Sequence, residues 1–94
     1  MSRPAITETV LRRRLGDNVR ALRTASRLTV KKAALRAEVH WRHWQKIEAG
    51  DTNVTLFTLA RVADALNAEP GHLLLEPKPA RAGQPERPPG AVVP

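Results

Sequence analysis

The 94-residue chain contains no cysteine. That excludes a disulfide framework and a thiolate zinc site as its source of stability. It contains no apolar run near the roughly 20 residues needed to span a bilayer. Residues 1–9 carry no long apolar stretch, so no secretory signal is expected there, no membrane partner, and a cytoplasmic location. Serines are two, Ser2 and Ser26, and there is no glycine-rich phosphate loop and no pair of carboxylates on one helix face. No catalytic constellation can be assembled from such a set, and a non-enzyme without cofactor is expected. Strand-type alternation and internal repeats are missing too, which leaves an all-α core of packed helices.

What the chain has is positive charge, unevenly placed. The net charge is +7. Residues 12–48 hold eleven basic side chains against three acidic ones, so this half carries +8 and the remainder −1. A small domain with one basic half is suited to a polyanion, and a solvated helical surface is the plain alternative.

Apolar spacing predicts a first helix over 8–25, with Thr7 or Thr9 as its cap and Leu11, Leu15, Val19 and Leu22 on one face. Thr29 is placed to cap a helix over 30–37. His40 or Val39 precedes a helix over 41–49, closed by Gly50 in the left-handed region. Residues 51–54 read as a loop. Thr55 caps a helix running to Leu66, with Leu56, Leu59, Val62, Ala63 and Leu66 on one face and Asn67 closing it. Pro70 opens a last short helix ending near Leu75. Six of the eight prolines fall in 77–94, and that stretch is expected to be a disordered tail. The division is therefore a flexible arm over 1–7, a domain over 8–76 and a tail over 77–94.

The helix at 41–49 divides into two faces. At 100° per residue, Trp44 and Ile47 share one side, about 300° and 240° round from Trp41. Gln45, Arg42 and Lys46 lie at about 40°, 100° and 140° on the other. One face offers apolar anchors, the other donors, an amide and an indole. Arg and Lys can donate to guanine, Gln can pair with adenine, and an apolar ring can touch a thymine methyl. Trp41 fits either a base or sugar contact or a place packed across the preceding helix. His40 and His43 are three apart, but no third ligand lies near them in sequence, so no metal site is expected.

Residues 15–75 resemble the Cro/C1-type helix-turn-helix family of phage repressors and bacterial regulators. The residues that carry the likeness are Leu15-Gly16, Leu22-Arg23, Leu28-Thr29, Ala34, Val39, Ile47-Glu48 and Gly50, then Leu59, Val62-Ala63, Leu66 and Leu73-Leu74. The resemblance implies a compact five-helix, lambda-repressor-like DNA-binding domain. It places Trp41, Arg42 and Lys46 at base-reading positions, with His43 and Gln45 flanking. Thr29 falls where a helix N-terminus grips phosphate. Arg23 and Glu48 match a pair that ties the first helix to the recognition helix. Phe57 in the loop-to-helix segment 52–57, with Leu74 or Leu75 after it, falls where related repressors dimerise. The implied partner is a pseudo-palindromic double-stranded operator bound by a homodimer. Three positions depart from the pattern. Val30 replaces a phosphate-touching Gln, so Lys31 or Lys32 is expected to take that contact. Glu38 replaces a turn Gly, so a turn of different shape is expected. Trp44 replaces a smaller aliphatic, with Ala33 and Ala34 expected to make room. A repressor acting by occupancy is the expected function. The alternative is an antitoxin that also holds a protein partner through its tail.

Overall fold

In a computed structural model of the chain, residues 5–77 are described. Most of the tail expected over 77–94, and the first four residues of the arm, lie outside them. Four α-helices and one 3-10 helix follow in order, with no strand among the described residues. No described helix is long and apolar enough to cross a membrane.

α1 spans Glu8–Ala25, α2 Val30–Ala37, α3 Trp41–Ala49 and α4 Leu56–Ala65. Each begins where a side chain can accept one of the first free N–H groups. Thr7 accepts from Val10, Thr29 from Lys32, and Thr55 from Thr58, at 3.0–3.2 Å. His40 caps α3 with its ring, Nδ1 accepting from Arg42 N–H at 3.1 Å. Three of the connections turn through a left-handed residue: Glu38 after α2, Gly50 after α3 and Asn67 after α4. Arg27 does the same between α1 and α2.

The turn after α2 therefore keeps its left-handed residue despite the missing glycine, contrary to the altered shape expected from Glu38. Its φ is 59° and its ψ 40°. A non-Gly residue there is strained by about 1 kcal/mol, and the Glu38 carboxylate also pairs with Arg61 on α4 at the surface. The fifth helix is also less than the resemblance implied. Pro70–Leu74 forms a 3-10 segment, capped by the Glu69 carboxylate on Gly71 N–H.

One core joins all five elements. Leu15 and Val19 from α1 meet Ala33, Ala34 and Ala37 from α2, and Trp44 and Ile47 from α3. Leu59, Val62, Ala63 and Ala65 of α4, with Leu66 and Leu73, close it from the other side. The alanine face of α2 leaves the volume that the Trp44 indole fills, as its sequence position suggested. Leu56 does not join the face it was assigned to and is 82% exposed. It occupies the first position of α4.

Gly16 sets how closely α1 and α3 can approach. A Cβ there would stand 2.5 Å from the Glu48 carbonyl oxygen and 2.7 Å from that of Ile47. The backbone of α3 thus lies directly against α1.

Asn18 holds the end of the domain in place. Its Nδ2 donates to the carbonyls of Leu73 and Leu75, both at 2.9 Å. Arg14 Nη1 reaches the intervening Leu74 carbonyl at 3.5 Å. These are the carbonyls a short helix end leaves without partners. Asn18→Ala is expected to cost about 1–2 kcal/mol. The signature would be amide exchange at 72–75 accelerating more than in the α1–α3 core, which a global loss of stability would not produce.

Candidate nucleic-acid interface

The short connection of 38–40 sets α2 and α3 as a bent pair. α3 rests its Trp44 and Ile47 face on the core, both side chains essentially without solvent contact. Arg42, Gln45 and Lys46 project from the opposite face and are exposed. Trp41 and His43 are half-buried at its edge. The two-faced helix inferred from angles alone is therefore the one that forms.

Beside it, the first turn of α2 presents Lys31 and Lys32, both exposed. The Thr29 hydroxyl accepts from Lys32 N–H, which leaves its own hydrogen free to donate. Lys31 crosses the turn to α3. Its Nζ stands 5.2 Å from the centroid of the Trp41 ring, and the Arg42 guanidinium carbon is also at 5.2 Å. The His40 ring stacks on Trp41 at 5.7 Å with an interplanar angle of 24°. Trp41 is thus half-buried, packed against the edge of the core, with His40, Lys31 and Arg42 around the rest of its ring. His40 is occupied as a helix cap.

Beneath the face lies a buried carboxylate. Glu48 is 8% exposed. Its two oxygens accept from Arg23 Nε at 2.5 Å and Arg23 Nη2 at 3.1 Å. Trp44 Nε1 donates to the same carboxylate at 2.7 Å, and Arg20 adds a charge at 3.5 Å. Burial by itself pushes the Glu48 carboxyl up. The Arg23 and Trp44 hydrogen bonds and the two guanidinium charges outweigh it, and hold the group below the usual carboxylate range. The same hydrogen bond holds the Arg23 guanidinium above its ordinary value, against burial. Arg23 Nη1 also donates to the Leu28 carbonyl at 2.9 Å. One side chain therefore fastens α1 to α3 and to the entry of α2, and its partner meets the surface as a neutralised pair.

The Arg23–Glu48 pair was expected. The Trp44 donor was not, although positions 44 and 48 are one helical turn apart and match donor to acceptor. Asn18 was missed as well. Its sign was a polar residue on the apolar stripe of Leu15, Val19 and Leu22, which needs a partner once buried.

The expected apolar contact residues fare unequally. Phe57 is 67% exposed and Leu75 55%, whereas Leu74 is half-buried against the core. Leu73 alone of the three leucines is fully buried. Arg61 covers one side of Phe57, its guanidinium carbon 4.6 Å from the ring centroid.

A profile described as "Helix-turn-helix domain" matches residues 14–76, two thirds of the chain. The chain belongs to the helix-turn-helix domain family. Within this family its likeness is to the Cro/C1 type, and the DNA-binding character of the domain follows from that membership. No curated protein matches it significantly. Among solved structures, the restriction-modification controller protein C.AhdI from Aeromonas hydrophila is 31% identical, with a TM-score of 0.64 over 66% of this chain and 94% of that one. The hypothetical transcription factor NHTF from Neisseria is 26% identical, with a TM-score of 0.70 over 81% and 88%. The clp gene regulator ClgR from C. glutamicum is 28% identical, with a TM-score of 0.65 over 79% and 90%. The matched residues include α2, the turn at Glu38 and α3.

Proposed function

We propose that the chain is a cytoplasmic, sequence-specific transcriptional regulator that represses by occupying a double-stranded operator as a homodimer. The observation that carries the reading is the exposed face of α3. Arg42, Gln45 and Lys46 project from a helix whose other face is locked into the core. Arg42 reads a base, Gln45 and Lys46 read or flank it, and Trp41 stands at the edge. Thr29, Lys31, Lys32 and His43 take phosphates, with the N-terminus of α2 adding its partial positive charge. Phosphate contacts fix the register, and base contacts select the sequence.

The homodimer rests on apolar surface away from that face. Phe57 and Leu75 are exposed large side chains, as is Leu56. Leu74 contributes only its outer part. A two-fold dimer of such domains would meet half-sites about one helical turn apart.

Selection from a random DNA pool, followed by titration of the selected site, tests the reading. A palindromic consensus is expected. Arg42→Ala should weaken that site by about 1–3 kcal/mol and relax preference at one base pair. A uniform loss across all sequences would make Arg42 a phosphate anchor. No enrichment at all would sink the proposal.

A further inference from the structure

Two cations and a histidine converge on Trp41. Lys31 is the second residue of α2 and Arg42 the second residue of α3. Both sit at helix N-termini, where the backbone partial charge is positive and disfavours a cation. Each also repels the other. Left to themselves, these two side chains would spread into solvent. Instead the Lys31 ammonium and the Arg42 guanidinium both lie 5.2 Å from the same indole centroid. The electron-rich face of tryptophan is the strongest such attractor among the side chains. His40 supplies the rest of the arrangement. Its ring is fixed by accepting from Arg42 N–H, and it stacks on Trp41. The ring stacked on the indole is thus itself a helix cap.

We propose that Trp41 is a positioning residue for DNA recognition, a platform whose ring holds Lys31 and Arg42, from two different helices, ready for a phosphate and a base. The proposal rests on the reading of α3 as the DNA-facing helix, and it assigns Trp41 a task other than base contact. With three groups within 5.7 Å of its centroid, the ring has little open face to offer a thymine methyl. What it offers is order. Lys and Arg lose the most rotamer freedom of all side chains when a contact fixes them. On this platform much of that loss has already occurred in the free protein, so less is left to oppose binding.

Two measurements on the full chain separate this from its rivals. The first needs no DNA. In the proton NMR spectrum of the free protein, the Lys31 ε-methylene and Arg42 δ-methylene are expected to be shielded by the ring. The shielding should vanish in Trp41→Leu and persist in Trp41→Phe, which keeps an aromatic face. The second uses the DNA site selected from a random pool. Trp41→Leu should lower affinity about five- to thirtyfold, the scale of two such contacts, and Trp41→Phe should recover most of it. Lys31→Gln should cost less in the Trp41→Leu background than alone, because an unplaced lysine has less to lose. A melting temperature of Trp41→Leu within a few degrees of the wild type's excludes misfolding as the cause. If leucine binds as well as tryptophan, or if the two costs add, Trp41 is a passive apolar contact and the proposal fails, even with shielded cations. If the wild-type chain selects no sequence, the DNA reading fails and takes this proposal with it. Unshielded cations together with normal selection would remove the proposal alone.

Discussion

Glu48→Ala is expected to cost about 3–5 kcal/mol of folding stability, the range for removing one partner of a buried ion pair. The Arg23 side chain is only 15% exposed, and it would be left as a charge without two of its three hydrogen bonds. The Trp44 N–H, buried beside it, would lose its acceptor too. The pair is not worth that much in itself, because an apolar replacement of both partners can be neutral. The cost comes from stranding what remains. The pH dependence separates charge from packing. Glu48 is held below its usual range in the folded state, so its contribution is complete above the unfolded value of about 4.3. It is lost as pH falls through the lower folded value. Glu48→Gln keeps the volume and an acceptor for Trp44 but removes the charge. The stability gap between the wild type and Glu48→Gln should therefore be wide at neutral pH and close below about pH 4. A gap that stays constant to pH 3, measured by urea unfolding, would show that the charge is not what matters.

The residues that could be read in advance are those whose role is local. Helix starts followed from Thr29 and Thr55, because a cap depends on a side chain and the amides three residues on. Gly50 and Asn67 closed their helices for a similar reason. The two faces of α3 followed from angle alone. What could not be read is contact between distant parts of the chain. The ion pair of Glu38 with Arg61 joins residues 23 apart. Asn18 meets carbonyls more than 50 residues away. Neither follows from periodicity. Trp41 shows the same limit at the candidate site. Its helix angle puts it on the reading face, but the Lys31 that leans over it comes from another helix. The exposure of Leu35, at 77%, was not anticipated from sequence, and nothing in the fold explains it.

Gly16→Ala should be destabilising by about 2–3 kcal/mol, although helix propensity alone favours alanine by about 1 kcal/mol. The added methyl would meet the carbonyl oxygens of Ile47 and Glu48 at 2.7 and 2.5 Å and the Glu48 carbonyl carbon at 2.9 Å. These are backbone atoms of α3 and cannot rotate aside as a flexible side chain would. α1 and α3 must then part by about an ångström to restore ordinary contact distances. That opens the packing of Leu15 and Val19 against Trp44 and Ile47, and loosens the Arg23–Glu48 bridge at the same seam. The second consequence falls on recognition. A displaced α3 carries Arg42, Gln45 and Lys46 away from the N-terminal end of α2, and tolerance for such displacement at a built site is about 0.5 Å. Binding to random DNA depends on the number of cations and should hardly change. Binding to the selected site should fall by about tenfold or more, so the specificity ratio shrinks while nonspecific affinity stays. Both readouts are needed, since a loss of stability alone would lower the two affinities together. A melting temperature that rises in Gly16→Ala would mean that the helices do not approach as closely as described, and that propensity governs this position.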